Sequence, residues 1–321
     1  MRLMGIALIR MMRPAGIAAA GLGMLLLSAP ASVAVRSAES AQQAFSSPEQ
    51  AVAALAEAWG HEDKTELLKI FGAGGAKLIS SGDPVADDDA RQRLTVEYNA
   101  SHKIDYEGED KAVLNIGKDD FPFPIPLLKQ GSAWYFDTKE GEQEILNRRI
   151  GRNELNVIEV CHAYVEAQRE YVAKNPVGKG RSEYAQRLHS SPGKHDGLYW
   201  AAETAEDESP LGPLVASAQA EGYSSNPAGT RTPYHGYYFK ILTRQGPSAA
   251  GGAKDYVADG HMTGGFAMIA FPAKYRDSGV MTFIVDQNGI VFERNLGPGT
   301  EATARRITAY DPDQSWKPTR P

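Results

Sequence analysis

The chain has 321 residues, a formal net charge of −6 at pH 7 and 42% hydrophobic residues. A chain of this length predicts about two domains. Its net negative charge, without a basic stripe, argues against nucleic acid and anionic membrane surfaces as partners. The single cysteine, Cys161, excludes an intramolecular disulfide, and its place in an apolar helix stripe predicts a buried core residue.

Residues 1–34 have the layout of a secretory signal peptide. Three arginines precede an apolar run over 15–27, and small residues follow up to Ala34. The run is shorter than the roughly 20 residues that span a bilayer. We therefore expect cleavage near Ala34, a periplasmic or secreted protein, and no membrane span after the signal is removed.

After a disordered leader at 35–44, residues 45–150 are predicted to form an N-terminal α+β domain. Ser47 and Pro48 are helix-start signals. Polar–apolar spacing predicts three helices: 48–60, 64–71 and 83–100.

Three or four short antiparallel strands are predicted to follow these helices. The segment FPFPIPL (121–127) should lie at a sheet edge or carry a bulge, because proline cannot donate to a β-ladder. Helices followed by a curved antiparallel sheet resemble the nuclear transport factor two-like fold. That resemblance implies an enclosed pocket.

Residues 151–321 are predicted to form a C-terminal α+β domain, again a helix packed on an antiparallel sheet. The helix is predicted from Asn153 to about Lys174, and a long loop and a short helix follow. The predicted strands are 236–246, 264–275, 279–287 and 289–295. Asn288-Gly289 between the last two indicates a hairpin. This layout resembles the soluble head of pilins and pseudopilins.

Several blocks resemble one bacterial family of secreted proteins, known as domain-of-unknown-function family twenty-nine-fifty. They include FPFPIPL (121–127), PYHGYYFKIL (233–242), MTGGFAMIAFPAKY (262–275) and SGVMTFIVDQNGIV (278–291). The resemblance covers essentially the whole chain after the signal peptide. It implies secretion, and it implies no activity, cofactor or catalytic residue.

No motif points to a catalytic, metal or cofactor site. Glu159, His162 and Glu166 share one helix face at a spacing used by metal carboxylate bundles, but without a partner helix they predict a solvated face. Gly-x-Ser-x-Gly and His-x3-His do not occur. We therefore predict no metal and no cofactor, and we favour a non-enzymatic protein without excluding an enzyme.

Two groups of residues are candidates for contacts. Tyr199, Trp200, His235 and Asp255 combine aromatic and polar groups, as a small-molecule or glycan groove requires, although the aromatics also suit strands. A basic cluster of Arg148, Arg149 and Arg152 lies where the two domains join. We expect it to pair with acids such as those at 87–89 and to fix the inter-domain joint; the alternative is that it clamps a carboxylate or phosphate.

These features favour a non-enzymatic envelope protein that binds a partner or acts as an accessory, the partner being an envelope protein or a glycan. The alternative is a small-molecule-binding or enzymatic pocket in the N-terminal domain. A closed pocket lined by Trp59, Trp134 and Tyr135, with a buried acid or histidine, would favour that alternative, and a filled core would exclude it.

Overall fold

The structure is a computed structural model. It describes residues 42–80, 84–174, 182–202, 204, 207–221 and 232–320. The predicted signal peptide and residues 35–41 of the predicted leader lie outside these ranges. Gln42 is held against the N-terminal half, since its Nε2 donates to Phe136 O at 2.7 Å. Across the described ranges, every helix is too short or too polar to cross a bilayer.

The N-terminal half begins with helices whose starts the sequence identifies. They are α1 (Pro48–Gly60), α2 (Lys64–Phe71), α3 (Gly75–Ile79) and α4 (Pro84–Ala100). The side-chain oxygen of Ser47 accepts from Gln50 N and caps α1. Asp63 caps α2 by accepting from the backbone N–H groups of its first turn. The three helices predicted here are confirmed to within one residue.

An antiparallel sheet follows α4. Its strands are β1 (His102–Glu107), β2 (Lys111–Ile116), β3 (Phe121–Pro122), β4 (Leu127–Gln130) and β5 (Ala133–Phe136), and β3 and β4 both pair with β2. Residues 123–126 interrupt the ladder between them, which fits the missing donors of the prolines. The expectation for this segment was an edge position or a bulge: among the described strands β3 pairs only with β2, whereas β4, which begins at Leu127, lies between β2 and β5.

Helix α5 (Thr138–Lys174) is a single helix of 37 residues. Its predicted start at Asn153 is wrong, because Asp137 accepts from Glu140 N and caps the helix earlier. The intervening Glu, Gln, Leu and Arg residues favour helix. The predicted domain boundary at 150/151 falls inside α5.

The C-terminal half contains α6 (Gly212–Ala220), a five-stranded antiparallel sheet and α7 (Thr300–Arg306). The sheet has the order β14-β13-β12-β11-β6. Its strands are β6 (Tyr237–Leu242), β11 (Ala267–Pro272), β12 (Thr282–Asp286), β13 (Phe292–Arg294) and β14 (Lys317–Pro318). Two short ribbons lie between β6 and β11: β7 (Arg244–Gln245) pairs with β8 (Lys254–Asp255), and β9 (Val257–Ala258) pairs with β10 (His261–Met262). The predicted hairpin is confirmed, with Ile284 opposite Phe292. Helix α7 and β14 were not predicted.

Two hydrophobic cores occupy the two halves, and α5 contributes to both. Ile145 packs on the N-terminal core, which includes Phe71, Ile125 and Phe136. Val157 belongs to the C-terminal core. The α+β class is confirmed. The division into two domains and the two resemblances, to the nuclear transport factor two-like fold and to pilin heads, stay predictions.

Candidate ligand-binding cavity

A cavity of about 670 Å³ opens in the N-terminal half, among α1, α2, α3, α4, the β3 region and α5. Ligand pockets in proteins generally measure about 300–1,000 Å³. Its walls are mainly apolar: Trp59, Leu67, Leu78, Ile79, Leu94, Ile116, Phe121, Pro122, Phe123, Pro124, Ile145 and Leu155. Two of these, Phe121 and Leu155, are exposed large hydrophobic residues. The cavity therefore offers an apolar surface that water reaches.

Helix periodicity brings the polar residues of the cavity together. On α5, Ile145, Arg148, Arg149, Arg152 and Leu155 line it, and their spacing of three and four residues places them on one helix face. Helix α4 contributes Asp87, Ala90, Arg91, Arg93, Leu94 and Glu97, most of them at the same spacing. The described walls thus include five arginines and one lysine against three acids, so basic side chains outnumber acidic ones on the walls themselves.

The two arginines on α4 have acidic partners on their own helix. Arg91 pairs with Asp88 and lies 3.4 Å from the Glu62 carboxylate. Arg93 Nη2 lies 2.7 Å from Asp89 Oδ2. These acids were expected to pair with the arginine cluster of α5, and that expectation is wrong for Asp88 and Asp89. Local pairs at i+3 and i+4 satisfy them instead.

Two arginines of α5 are also paired. Arg148 Nε lies 2.6 Å from Glu144 Oε1, its Nη1 donates to Pro122 O at 2.9 Å, and its guanidinium lies 4.6 Å from the Phe121 ring centroid. Arg149 Nη1 lies 3.0 Å from Asp277 Oδ1, in the C-terminal half. Arg148 therefore contacts the N-terminal sheet, and Arg149 contacts the turn between β11 and β12 in the C-terminal half.

Arg152 differs from the other four arginines. Among the described residues, no carboxylate lies within ion-pair distance of it, and its guanidinium makes no hydrogen bond. Although the residue as a whole is exposed, partial desolvation of the guanidinium and then the nearby charge of Arg93 lower its pKa. The negative charge of Asp89 raises the pKa of Arg152. Because a guanidinium stays protonated at neutral pH, Arg152 is a charged donor without an acidic partner at the cavity.

A smaller cavity of about 120 Å³ adjoins the first. The two share Trp59, Leu94, Ile116 and Phe123 as walls. Trp59 packs edge-on against Phe123 with ring centroids 6.0 Å apart. One layer of side chains therefore separates the two spaces.

The aromatic residues proposed for an N-terminal pocket divide between cavity and core. Trp59 lines both cavities. Trp134 is buried on β5, where its backbone pairs with Phe45. Tyr135 is half-buried on the same strand. Of the three, only Trp59 belongs to the walls of either cavity.

The four candidate groove residues lie on three segments of the chain, with Tyr199 and Trp200 adjacent. Tyr199 pairs with His189, and Trp200 is buried, stacks on His195 at 4.2 Å and donates to Asp207 O at 2.7 Å. His235 Nδ1 lies 3.2 Å from Asn156 Nδ2. Asp255 is exposed on β8, opposite Arg244. A groove formed by Tyr199, Trp200, His235 and Asp255 stays a prediction.

The other polar residues singled out in the sequence have ordinary surroundings. Glu159, His162 and Glu166 are all exposed on α5. No group of three or more His, Cys, Asp or Glu residues within the described ranges is arranged to hold a metal ion. Cys161 is fully buried, and this burial raises the pKa of its thiol to about 12.

Sequence reasoning named Arg148, Arg149 and Arg152 but missed the α4 half of the cavity. The available signal was a second helix face, where Asp87, Ala90, Arg91 and Leu94 recur at three- and four-residue spacing. That face carries arginines inside an otherwise acidic helix. The sequence could not show that it opposes the arginine face of α5.

Comparison with known proteins gives one match. A family model described as "Protein of unknown function (DUF2950)" matches residues 42–319. No curated protein and no solved structure matches the chain.

Proposed function

The chain belongs to this family of proteins of unknown function, and we propose that it is a secreted or periplasmic binding protein for a small amphipathic anion. The ligand combines an apolar body with a carboxylate, sulfonate or phosphate group. Its body lies against the apolar walls of the 670 Å³ cavity. Its anionic group meets the arginines at the α4–α5 side.

The observation that carries this proposal is Arg152. It contributes a charged donor beside apolar walls, and the charge of Arg93 lowers its pKa further. An anion placed there relieves the repulsion between these arginines. It also gains charge-assisted hydrogen bonds, which are stronger than neutral ones.

The composition of the walls supports binding rather than nucleophilic catalysis. The described residues that line the cavity include no His, Cys, Ser or Thr. These are the residue types that most often supply a nucleophile or a base near neutral pH. Glu62, Asp87 and Glu97 supply the carboxylates.

Secretion is supported by the basic, apolar and small-residue segments of residues 1–34. An envelope location suits a protein that holds an amphipathic molecule, because such molecules are poorly soluble in water. Binding does not require a protein partner or a glycan. Those partners stay alternatives.

The proposal is tested by calorimetric titration of the chain, without residues 1–34, with dodecanoate below its aggregation concentration. We expect one molecule bound per chain. Arg152→Gln should weaken binding at least about tenfold, because a charged hydrogen bond contributes about 1.5–3 kcal/mol. The matched control is Arg306→Gln, which removes an exposed arginine at the end of α7.

Equal dodecanoate affinity of the wild type and Arg152→Gln would contradict the proposal that Arg152 binds the anionic group. Absence of saturable dodecanoate binding to the wild-type chain would contradict the proposed function itself.

A further inference from the structure

We propose that the 120 Å³ side cavity receives the end of an unbranched acyl chain, so that the ligand is a long-chain carboxylate rather than a compact aromatic or cyclic anion. This inference rests on the proposed function and names the ligand class of the same site. It comes from the position and the lining of the side cavity.

The side cavity is narrow and lies directly behind the wall of the larger one. Its walls come from one face of α1 and one face of α4, with Phe123 and strand β2 between them: Val52, Leu55, Ala56, Trp59, Gly60, Leu94, Thr95, Tyr98, Asn99, Leu114, Ile116 and Phe123. Most of these residues are apolar. None is Lys, Arg, Asp or Glu, so the side cavity suits hydrocarbon and does not suit an ionic group.

The arginines line the larger cavity and not the side cavity. The side cavity adjoins the apolar wall of the larger one at Trp59 and Phe123. We expect a ligand with its anionic group at Arg152 to extend its far end toward the side cavity, because Arg152 lines only the larger cavity. The end of a flexible chain can enter a space of about 120 Å³, whereas most of a fused-ring body would have to stay in the larger cavity.

Trp59 is one of the four residues that line both spaces. It is half-buried at the end of α1. Among the described residues its indole N–H donates to no protein acceptor, and packing on Phe123 holds the ring. A rotation of this side chain would therefore break no hydrogen bond.

The test is a chain-length series from octanoate to tetradecanoate, titrated into the wild-type protein and into variants with a filled side cavity. Each buried CH₂ group should raise affinity about fourfold. Ala56→Leu and Thr95→Leu place extra volume in the side cavity. Their matched controls are Ala53→Leu on α1 and Val96→Leu on α4, both exposed and outside both cavities.

We expect the ratio of tetradecanoate to octanoate affinity to fall at least tenfold in Ala56→Leu and Thr95→Leu, with octanoate affinity unchanged within about twofold. The controls should keep the wild-type ratio. Circular dichroism melts identify a variant that fails to fold. The affinity ratio of the other variant then tests the inference.

An unchanged ratio in a folded variant overturns the side-cavity inference and leaves the proposed function standing. A wild-type affinity that does not rise with chain length also overturns the side-cavity inference and leaves the proposed function standing. If no carboxylate of any length binds, the proposed function and this inference both fail.

Discussion

Arg149 and Asp277 join the cavity to the C-terminal half of the protein. Their Nη1 and Oδ1 atoms lie 3.0 Å apart, and the same turn of the chain is held by Asn153 Nδ2, which donates to Ser278 O at 2.9 Å. Arg149 lines the cavity. An anion in the cavity and the Asp277 carboxylate therefore compete for one guanidinium.

Asp277→Asn should strengthen dodecanoate binding, by up to about fivefold, because a partly exposed ion pair contributes about 0.2–1 kcal/mol. The free energy of unfolding should fall by a similarly small amount. Calorimetric titration and urea denaturation measure the two effects. Glu301→Gln, which removes an exposed ion pair with Arg305, is the control and should leave ligand affinity unchanged. A weaker affinity in Asp277→Asn would show that Arg149 does not act on the ligand.

Two glycines of α5 test the continuity of this helix across the predicted domain boundary. A Cβ at Gly151 meets nothing within 4 Å, whereas a Cβ at Gly141 lies 2.7 Å from Ile125 Cγ1. Gly151→Ala should raise the free energy of unfolding by about 0.5–1 kcal/mol through helix propensity. Gly141→Ala should lower it by about 1–3 kcal/mol through overpacking. Urea denaturation distinguishes the two, and a destabilised Gly151→Ala would indicate a break or hinge in the helix there.

Glu154 should be the most important polar contact between α5 and the C-terminal sheet. Its Oε1 accepts from Val280 N at 2.8 Å, from Met281 N at 2.9 Å and from the Tyr237 hydroxyl at 3.4 Å. Glu154→Ala leaves the two backbone donors without their acceptor, whereas the Tyr237 hydroxyl keeps Met281 O at 2.9 Å. The variant should cost about 2–4 kcal/mol of unfolding free energy. Glu159→Ala on the exposed face of the same helix should cost less than about 0.5 kcal/mol. Equal costs in the two variants would contradict this role.

Stability should fall as pH rises above about 9. Burial raises the pKa of Cys161 from 9.0 to about 12, and burial also raises the pKa values of Tyr171 and Tyr234 to about 12. The folded state therefore keeps protons that the unfolded state loses, so this stabilisation is complete below pH 9 and disappears as pH rises through 12. Between its pKa in the unfolded state and its pKa in the folded state, each group lowers the free energy of unfolding by up to about 1.36 kcal/mol per pH unit.

Urea denaturation at pH 8, 9, 10 and 11 measures this loss. In Cys161→Ala the loss of stability between pH 9 and pH 10 should disappear. The loss above pH 10, which the tyrosines cause, should remain. The native thiol should also resist aromatic disulfide reagents at pH 8, because a buried protonated thiol is a poor nucleophile. Fast modification of the folded chain would contradict the burial of Cys161.

Local signals predicted most of the regular elements. The Ser47 cap and the Asn288-Gly289 turn each depend on a few adjacent residues, and both were found as expected. The start of α5 was missed because Gly141 and Gly151 weaken the helix signal, and the reason for Gly141 is its contact with Ile125. That contact depends on a residue distant in sequence.

The cavity was predictable only in part for the same reason. The arginines of α5 are adjacent in sequence and were identified as a group. Their position opposite Arg91 and Arg93, and the pairing of Arg149 with Asp277, depend on how α4, α5 and the β11–β12 turn pack together. Periodicity shows which residues share one face of a helix. It does not show which other element that face packs against.

The most direct test of the proposed function compares two ligands with the same hydrocarbon chain and opposite charge. Dodecanoate and dodecyltrimethylammonium are titrated separately into the wild-type protein below their aggregation concentrations, and native mass spectrometry counts the bound molecules. We predict one bound dodecanoate per chain and no saturable binding of the cation, because Arg152, which has no carboxylate of the described residues within ion-pair distance, repels it. Equal binding of the two ligands, or binding of the cation alone, would contradict an anion-binding cavity.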